Sequence, residues 1–127
     1  MKNGEIVILN GIFGGEVKLP KMKGDDLYKV LSAKADISTI VEGIQKKAEE
    51  LKNGVKPESV DEDNMQESDP AVQEWMRRYI PMQNRLYNEE YDGKFPEPCI
   101  PREAFPEMIE GLTPGKAELL MKYLVIK

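Results

Sequence analysis

Hydrophobic positions recur most regularly between Gly24 and Gly54. Val30, Ile37, Ile44 and Leu51 follow one another every seven residues. Ala33 and Ile40 lie three positions after the first two, and Val41 and Ala48 four after the middle two. That drift from a strict repeat marks one apolar stripe on a straight helix. Asp25 and Asp26 suit the positive end of such a helix, and Asn53-Gly54 suits its stop. The pattern therefore predicts a long helix over about 25–52. Asp36, Ser38, Thr39 and Gly43 are mediocre helix formers, so a kink or break is expected near Asp36.

A second stripe follows Asp69-Pro70, where proline takes the first helical position. Trp75, Tyr79, Met82 and Leu86 share one line, broadened by Val72, Met76 and Tyr87. This predicts a helix over about 70–90, kinked at Pro81, which cannot donate to the carbonyl of Arg77. Between the helices, residues 53–69 are acidic and poor in large apolar side chains, which predicts a mobile loop. Residues 94–106, with four prolines, predict an extended covering segment. Thr113-Pro114 opens a C-terminal helix over about 114–124 that is apolar nearly all round.

Residues 4–19 fit two readings. Their β-branched runs and Asn10-Gly11 suit a β-hairpin, whereas Ile6, Leu9 and Phe13 are spaced for one helical face. Pro20 ends the element in either case. The fold expected is mainly α within a single domain, 1–127. It is an antiparallel helical hairpin with a short C-terminal helix and minor extended or β pieces at the N-terminus and in the Pro-rich segment. The Val30/Ile37/Ile44/Leu51 stripe is expected to pack on Trp75, Tyr79 and Leu86.

Composition narrows the function classes. The chain has 127 residues, a net charge of −5, no histidine and one cysteine. A negative balance disfavours nucleic acid as a partner, because phosphate backbones need a positive footprint. Without histidine, the commonest acid–base group, the Ser-His and Cys-His pairs and most zinc sites are excluded. Cys99 in "EPCIPR" permits no intrachain disulfide and reads as a structural thiol in a reducing compartment. No apolar run approaches the roughly 20 residues that span a bilayer, and the first residues make a poor signal peptide.

Several short stretches carry residue types that could do chemistry. "GLTPGKAE" lacks the spacing and hydroxyl of a phosphate loop. "DEDNMQE" has Met65 where a calcium loop needs oxygen. "NEEYD" clusters carboxylates at a helix end without holding them apart across a pocket. "EWMRRY" is the better candidate: Trp75 and Tyr79 lie one turn apart beside Arg77 and Arg78, a composition common in binding hot spots. The same residues also fit a core role for the rings, with the arginines paired to Glu74. Leu119, Leu120, Tyr123 and Leu124 are not expected to face one partner helix all together, so Leu120, Tyr123 and Leu124 are candidate interface residues. Lys18, Lys21 and Lys23 form a small basic knot in "KLPKMKG". No cofactor or metal is expected.

The stretches "KLPKMKGDDLYKVLSAKADISTIVEGIQKKAEELK", "CIPREAF" and "GLTPGKAELLMKYLVI", in that order, resemble a group of small phage-encoded proteins of unknown function. The chain departs from that group in the 53–69 insert and the interrupted N-terminus. The resemblance implies a phage or prophage gene acting in a bacterial cytoplasm or virion, and it brings no catalytic residues. The expected activity is non-enzymatic: binding a phage or host protein, as an assembly accessory or an inhibitor of a host factor, with a homo-oligomeric chain and no membrane partner. The alternative is a small-ligand or nucleotide-binding protein using "WMRRY" and the basic knot.

Overall fold

The computed structural model describes residues 1–127 apart from Lys18 and Pro20, and Glu16 by its backbone alone. Five α-helices make up most of it: α1 (Asn3–Gly11), α2 (Gly24–Gly54), α3 (Pro70–Asn88), α4 (Phe105–Met108) and α5 (Pro114–Tyr123). A π-helical turn, Ile12–Glu16, extends α1, and a 3-10 turn spans Glu62–Asn64. Extended pairing among the described residues is limited to two isolated bridges, Lys2 with Glu90 and Ile100 with Val125.

The expected hairpin is present. Trp75 donates to the carbonyl of Lys52, and Gln83 donates to that of Ala48. Those pairs run in opposite directions along the two helices, so α2 and α3 are antiparallel. The helix α2 continues through Asp36 without a break, and α3 is continuous through Pro81. Asp69 caps α3 by accepting from the amide of Ala71 at 2.9 Å.

The N-terminus is helical, not a hairpin or an extended piece. Glu5 accepts from the amide of Lys2 at 2.8 Å, which satisfies one orphan donor of the first turn. Ile6, Leu9, Ile12 and Phe13 are all buried. Burial of that face outweighs the strand preference of Ile6, Val7 and Ile8, and Asn10-Gly11 becomes the helix's last turn.

Of the residues expected against the long stripe, Leu86 packs there, while α1 takes the place of Trp75 and Tyr79. Val30, Ala33, Ile37, Val41, Ile44 and Ala48 share one core with Ile6, Leu9, Ile12, Phe13, Leu86, Ile100, Met108, Leu120 and Leu124. Trp75 and Tyr79 are not in it. They belong to a second, smaller cluster with Val55, Val60, Ala71, Val72 and Met76, at the far end of the hairpin. The acidic segment is correspondingly not free of anchors, since Val60 is buried there.

The Pro-rich segment covers the core much as expected, except that its last two residues open α4. The amides of Cys99 and Ile100 both donate to the carbonyl of Leu124 at 2.9 Å, and that of Ile126 returns to Ile100. The N-terminus is held against the end of α3. The amide of Asn3 donates to Glu89, its buried side chain donates to the carbonyl of Leu86 at 2.8 Å, and the Met1 amino group meets Glu90 at 2.7 Å.

Candidate functional site

The best-formed side-chain constellation lies where α2 ends against α3. The last carbonyls of a helix have no intrahelical donor. Here the Trp75 indole N–H, aimed inward by the α3 stripe, donates to the Lys52 carbonyl at 2.8 Å. The Lys52 ammonium turns back over the same ring, 5.3 Å from its centroid and 5.7 Å from that of Tyr79. The two rings are tilted at 58° with centroids 5.0 Å apart, a favourable aromatic geometry. Trp75 is fully buried and Tyr79 half-buried. Together they latch the tip of the hairpin, and Trp75 offers no surface to a partner.

Arg77 and Arg78 point the other way and are well exposed. Arg77 meets Glu74 at 2.6 Å and Arg78 meets the same carboxylate at 3.3 Å. The hydrogen bond from Arg77, more than any other influence, holds the Glu74 carboxyl below its ordinary range. Such an exposed triad contributes little to stability. It keeps two guanidinium groups side by side on the solvent face, next to the partly exposed Ile80.

Beside this face are two depressions along the α2–α3 seam. One, about 390 Å³, is lined by Leu51, Pro81, Met82, Arg85 and Glu89. The other, about 400 Å³, is lined by residues 54–57 with Glu74, Trp75 and Arg78. The sequence pattern did not point to Leu51, Pro81 and Arg85 as neighbours. The i, i+4 spacing of Pro81 and Arg85 was visible, but the approach of Leu51 depends on how the helices cross.

The C-terminal candidates separate from this site. Leu120 and Leu124 are fully buried within the chain's own core, so they are not surface residues. The N-terminal helix and the Pro-rich segment supply the cover that α5 required. Tyr123 is half-buried; its hydroxyl lies 3.4 Å from a Glu5 carboxylate oxygen, and the Lys122 ammonium sits 5.1 Å from its ring.

Of the basic knot, Lys18 lies outside the described residues. Lys21 and Lys23 line a depression of about 280 Å³ together with Asp26, Pro101, Glu103 and Glu107, so acids balance the lysines there. Lys23 and Lys52 are separated by most of α2, roughly 43 Å at 1.5 Å per residue. One small ligand does not reach both the knot and Arg77/Arg78. Cys99 is buried, and burial pushes its thiol above the ordinary range. Among the described residues, no three potential metal ligands cluster, and no helix is long and apolar enough to cross a membrane.

No protein-family model, curated protein or solved structure matches the chain.

Proposed function

We propose that this is a phage- or prophage-encoded protein that acts by binding other proteins rather than by catalysis, as an assembly accessory or an inhibitor of a host factor. On this reading it works in the bacterial cytoplasm or the virion, and it self-associates. The phage setting rests on the order of the sequence stretches quoted above. The binding role rests on surface.

The observation that carries it is the amount of area left exposed. The chain presents 8634 Å² to solvent. A folded monomer of 14.4 kDa typically presents about 6,800 Å². The excess, about 1,800 Å², exceeds the roughly 800 Å² that each partner contributes to a standard interface. Part of that surface is apolar and lies on helices: Ile8, Tyr28, Leu31, Ile80 and Met121 are all exposed. For a different protein, the α3 face is the favoured contact. It sets Arg77, Arg78 and Ile80 beside the groove at Leu51, Pro81 and Met82, and arginine and methionine side chains are enriched in interface cores; Tyr79 faces inward with Trp75 and is not part of it. The small-ligand alternative loses support, because its two proposed halves stand at opposite ends of α2.

The test is affinity capture from host lysate with the wild-type chain and with an Arg77→Glu/Arg78→Glu/Ile80→Asp variant of unchanged circular dichroism. A protein retained by the first and lost by the second supports the reading. Identical retention by both removes the α3 face from it.

A further inference from the structure

An asparagine followed by glycine carries a reactive pair of groups. The main-chain nitrogen of the glycine can attack the asparagine side-chain carbon, and with no Cβ on the glycine nothing shields that approach. The chain has two such pairs, Asn10-Gly11 and Asn53-Gly54. As sequence they are equivalent, and neither glycine has a crowding neighbour, since a Cβ on either would meet no atom within 4 Å. The fold separates them. Both lie in helices, where the glycine nitrogen is engaged in the helical ladder, so the turn must open before the nitrogen reaches the side chain. Asn10 is half-buried between Leu9 and Ile12, which are both fully buried in the main core. Opening that turn withdraws both from the core. Asn53 and Gly54 are exposed and end α2. Their turn is held by the Trp75 N–H on the Lys52 carbonyl at 2.8 Å, by the amides of Val55 and Lys56 on the Asn53 carbonyl, and by the small cluster around Val60, Val72 and Trp75. Gly54 itself lines the depression of about 400 Å³ beside Trp75.

We propose that Asn53-Gly54 is a site of spontaneous covalent modification, at which Asn53 converts to aspartate and isoaspartate as the tip of the hairpin opens, with the Trp75–Lys52 bond controlling the rate. The Gly54 nitrogen gives its proton to hydroxide or water and bonds to Asn53 Cγ. The bond from Cγ to the side-chain nitrogen breaks, and that nitrogen takes a proton from solvent and leaves as ammonia. A water molecule then opens the cyclic imide. Attack at Cγ restores the main chain and leaves aspartate, whereas attack at the main-chain carbonyl leaves isoaspartate. The balance is one water consumed and one ammonia released, with no oxidant or reductant. Either product sets a carboxylate at the negative end of the α2 dipole. Isoaspartate also reroutes the main chain through the side-chain carbon, so the carbonyl that accepts from Val55 and Lys56 leaves the main chain. The tip therefore loosens as the chain ages, while α1 and the main core are spared.

The test is peptide mapping by mass spectrometry after the full wild-type chain has stood in warm, mildly alkaline buffer, with digestion at acid pH to halt the reaction. In the folded chain the peptide holding Asn53 is expected to gain about 1 Da, as aspartate and isoaspartate, while the peptide holding Asn10 keeps its mass. In strong urea both are expected to convert at similar rates. Gly54→Ala has room for its methyl group and no left-handed backbone to strain, so it is expected to keep the fold and lose the mass gain at residue 53. Trp75→Phe removes the donor to Lys52 and is expected to speed conversion at Asn53 about fivefold, with none at Asn10. Conversion of Asn10 in the folded chain as fast as Asn53 overturns the proposal. So does an Asn53 that persists in the folded chain while it converts in urea. A Trp75→Phe chain that converts at the wild-type rate overturns control by the Trp75–Lys52 bond.

Discussion

At the scale of single residues, Trp75 shows how a side chain serves two helices at once. Its ring fills the small cluster while its N–H supplies the donor that the end of α2 lacks. Trp75→Phe keeps most of the apolar volume and removes the donor, so denaturant unfolding should show a loss of about 1 kcal/mol. Trp75→Ala should cost about 3–5 kcal/mol, since it also empties the cluster. A core role for this ring was legible from its spacing with Tyr79 and Leu86. Its acceptor was not, because a carbonyl 23 positions away leaves no mark in the pattern. Cys99 is the simpler case, since its enclosure follows from an apolar, proline-flanked setting. Its thiol should resist disulfide-exchange reagents in the folded chain and react fully in guanidinium. Burial raises its pKa above the usual value of about 8.5. Above that value the unfolded chain gives up the proton while the folded chain keeps it, so folding loses stability as pH rises. Wild type should therefore lose ground to Cys99→Ala in melts between about pH 8 and 10, with no change in their difference at lower pH.

At the scale of elements, the long stripe was readable because thirty residues keep one period, and the soft residues at 36–43 did not break it. Neighbouring packing holds Ile37, Val41 and Ile44 inward and overrides their modest company. The N-terminal segment, residues 4–19, satisfies both periods because its β-branched runs are short and broken by glycines. Mutation separates the two. In a strand, Ile6 and Ile8 would share a face; in α1, Ile6 and Leu9 do, and Ile8 is 47% exposed. Ile6→Ala and Leu9→Ala should each cost about 2–5 kcal/mol, and Ile8→Ala should stay within about 0.5 kcal/mol. Losses shared by positions 6 and 8 would return this segment to a hairpin. The same ambiguity hides most of the α2 stripe's partner: with α1 undefined by its pattern, the aromatic face of α3 is the cover the sequence offers, and of that face only Leu86 reaches the stripe.

At the scale of the whole molecule, the hairpin is held by two cores of unequal size. The larger joins α1, α2, α5 and the covering segment through more than a dozen buried side chains, whereas the smaller rests on Val60, Val72 and Trp75. Regions with few buried apolar contacts open at lower free energy than the rest. The tip of the hairpin, from the last turn of α2 through the acidic loop to the first turns of α3, should therefore open before the main core. Within that tip, residues 61–70 are all exposed, so limited proteolysis should cut there first, and not at the buried Val60. The chain's one tryptophan lies inside the small cluster, which makes its fluorescence a reporter of the tip alone. Helical circular dichroism reports mainly the rest. The fluorescence midpoint in urea should fall below the dichroism midpoint, and amides near Trp75 should exchange faster than those near Ile37 and Leu9. Coincident midpoints with uniform protection would mean that the Trp75–Lys52 latch couples the two cores into one cooperative unit.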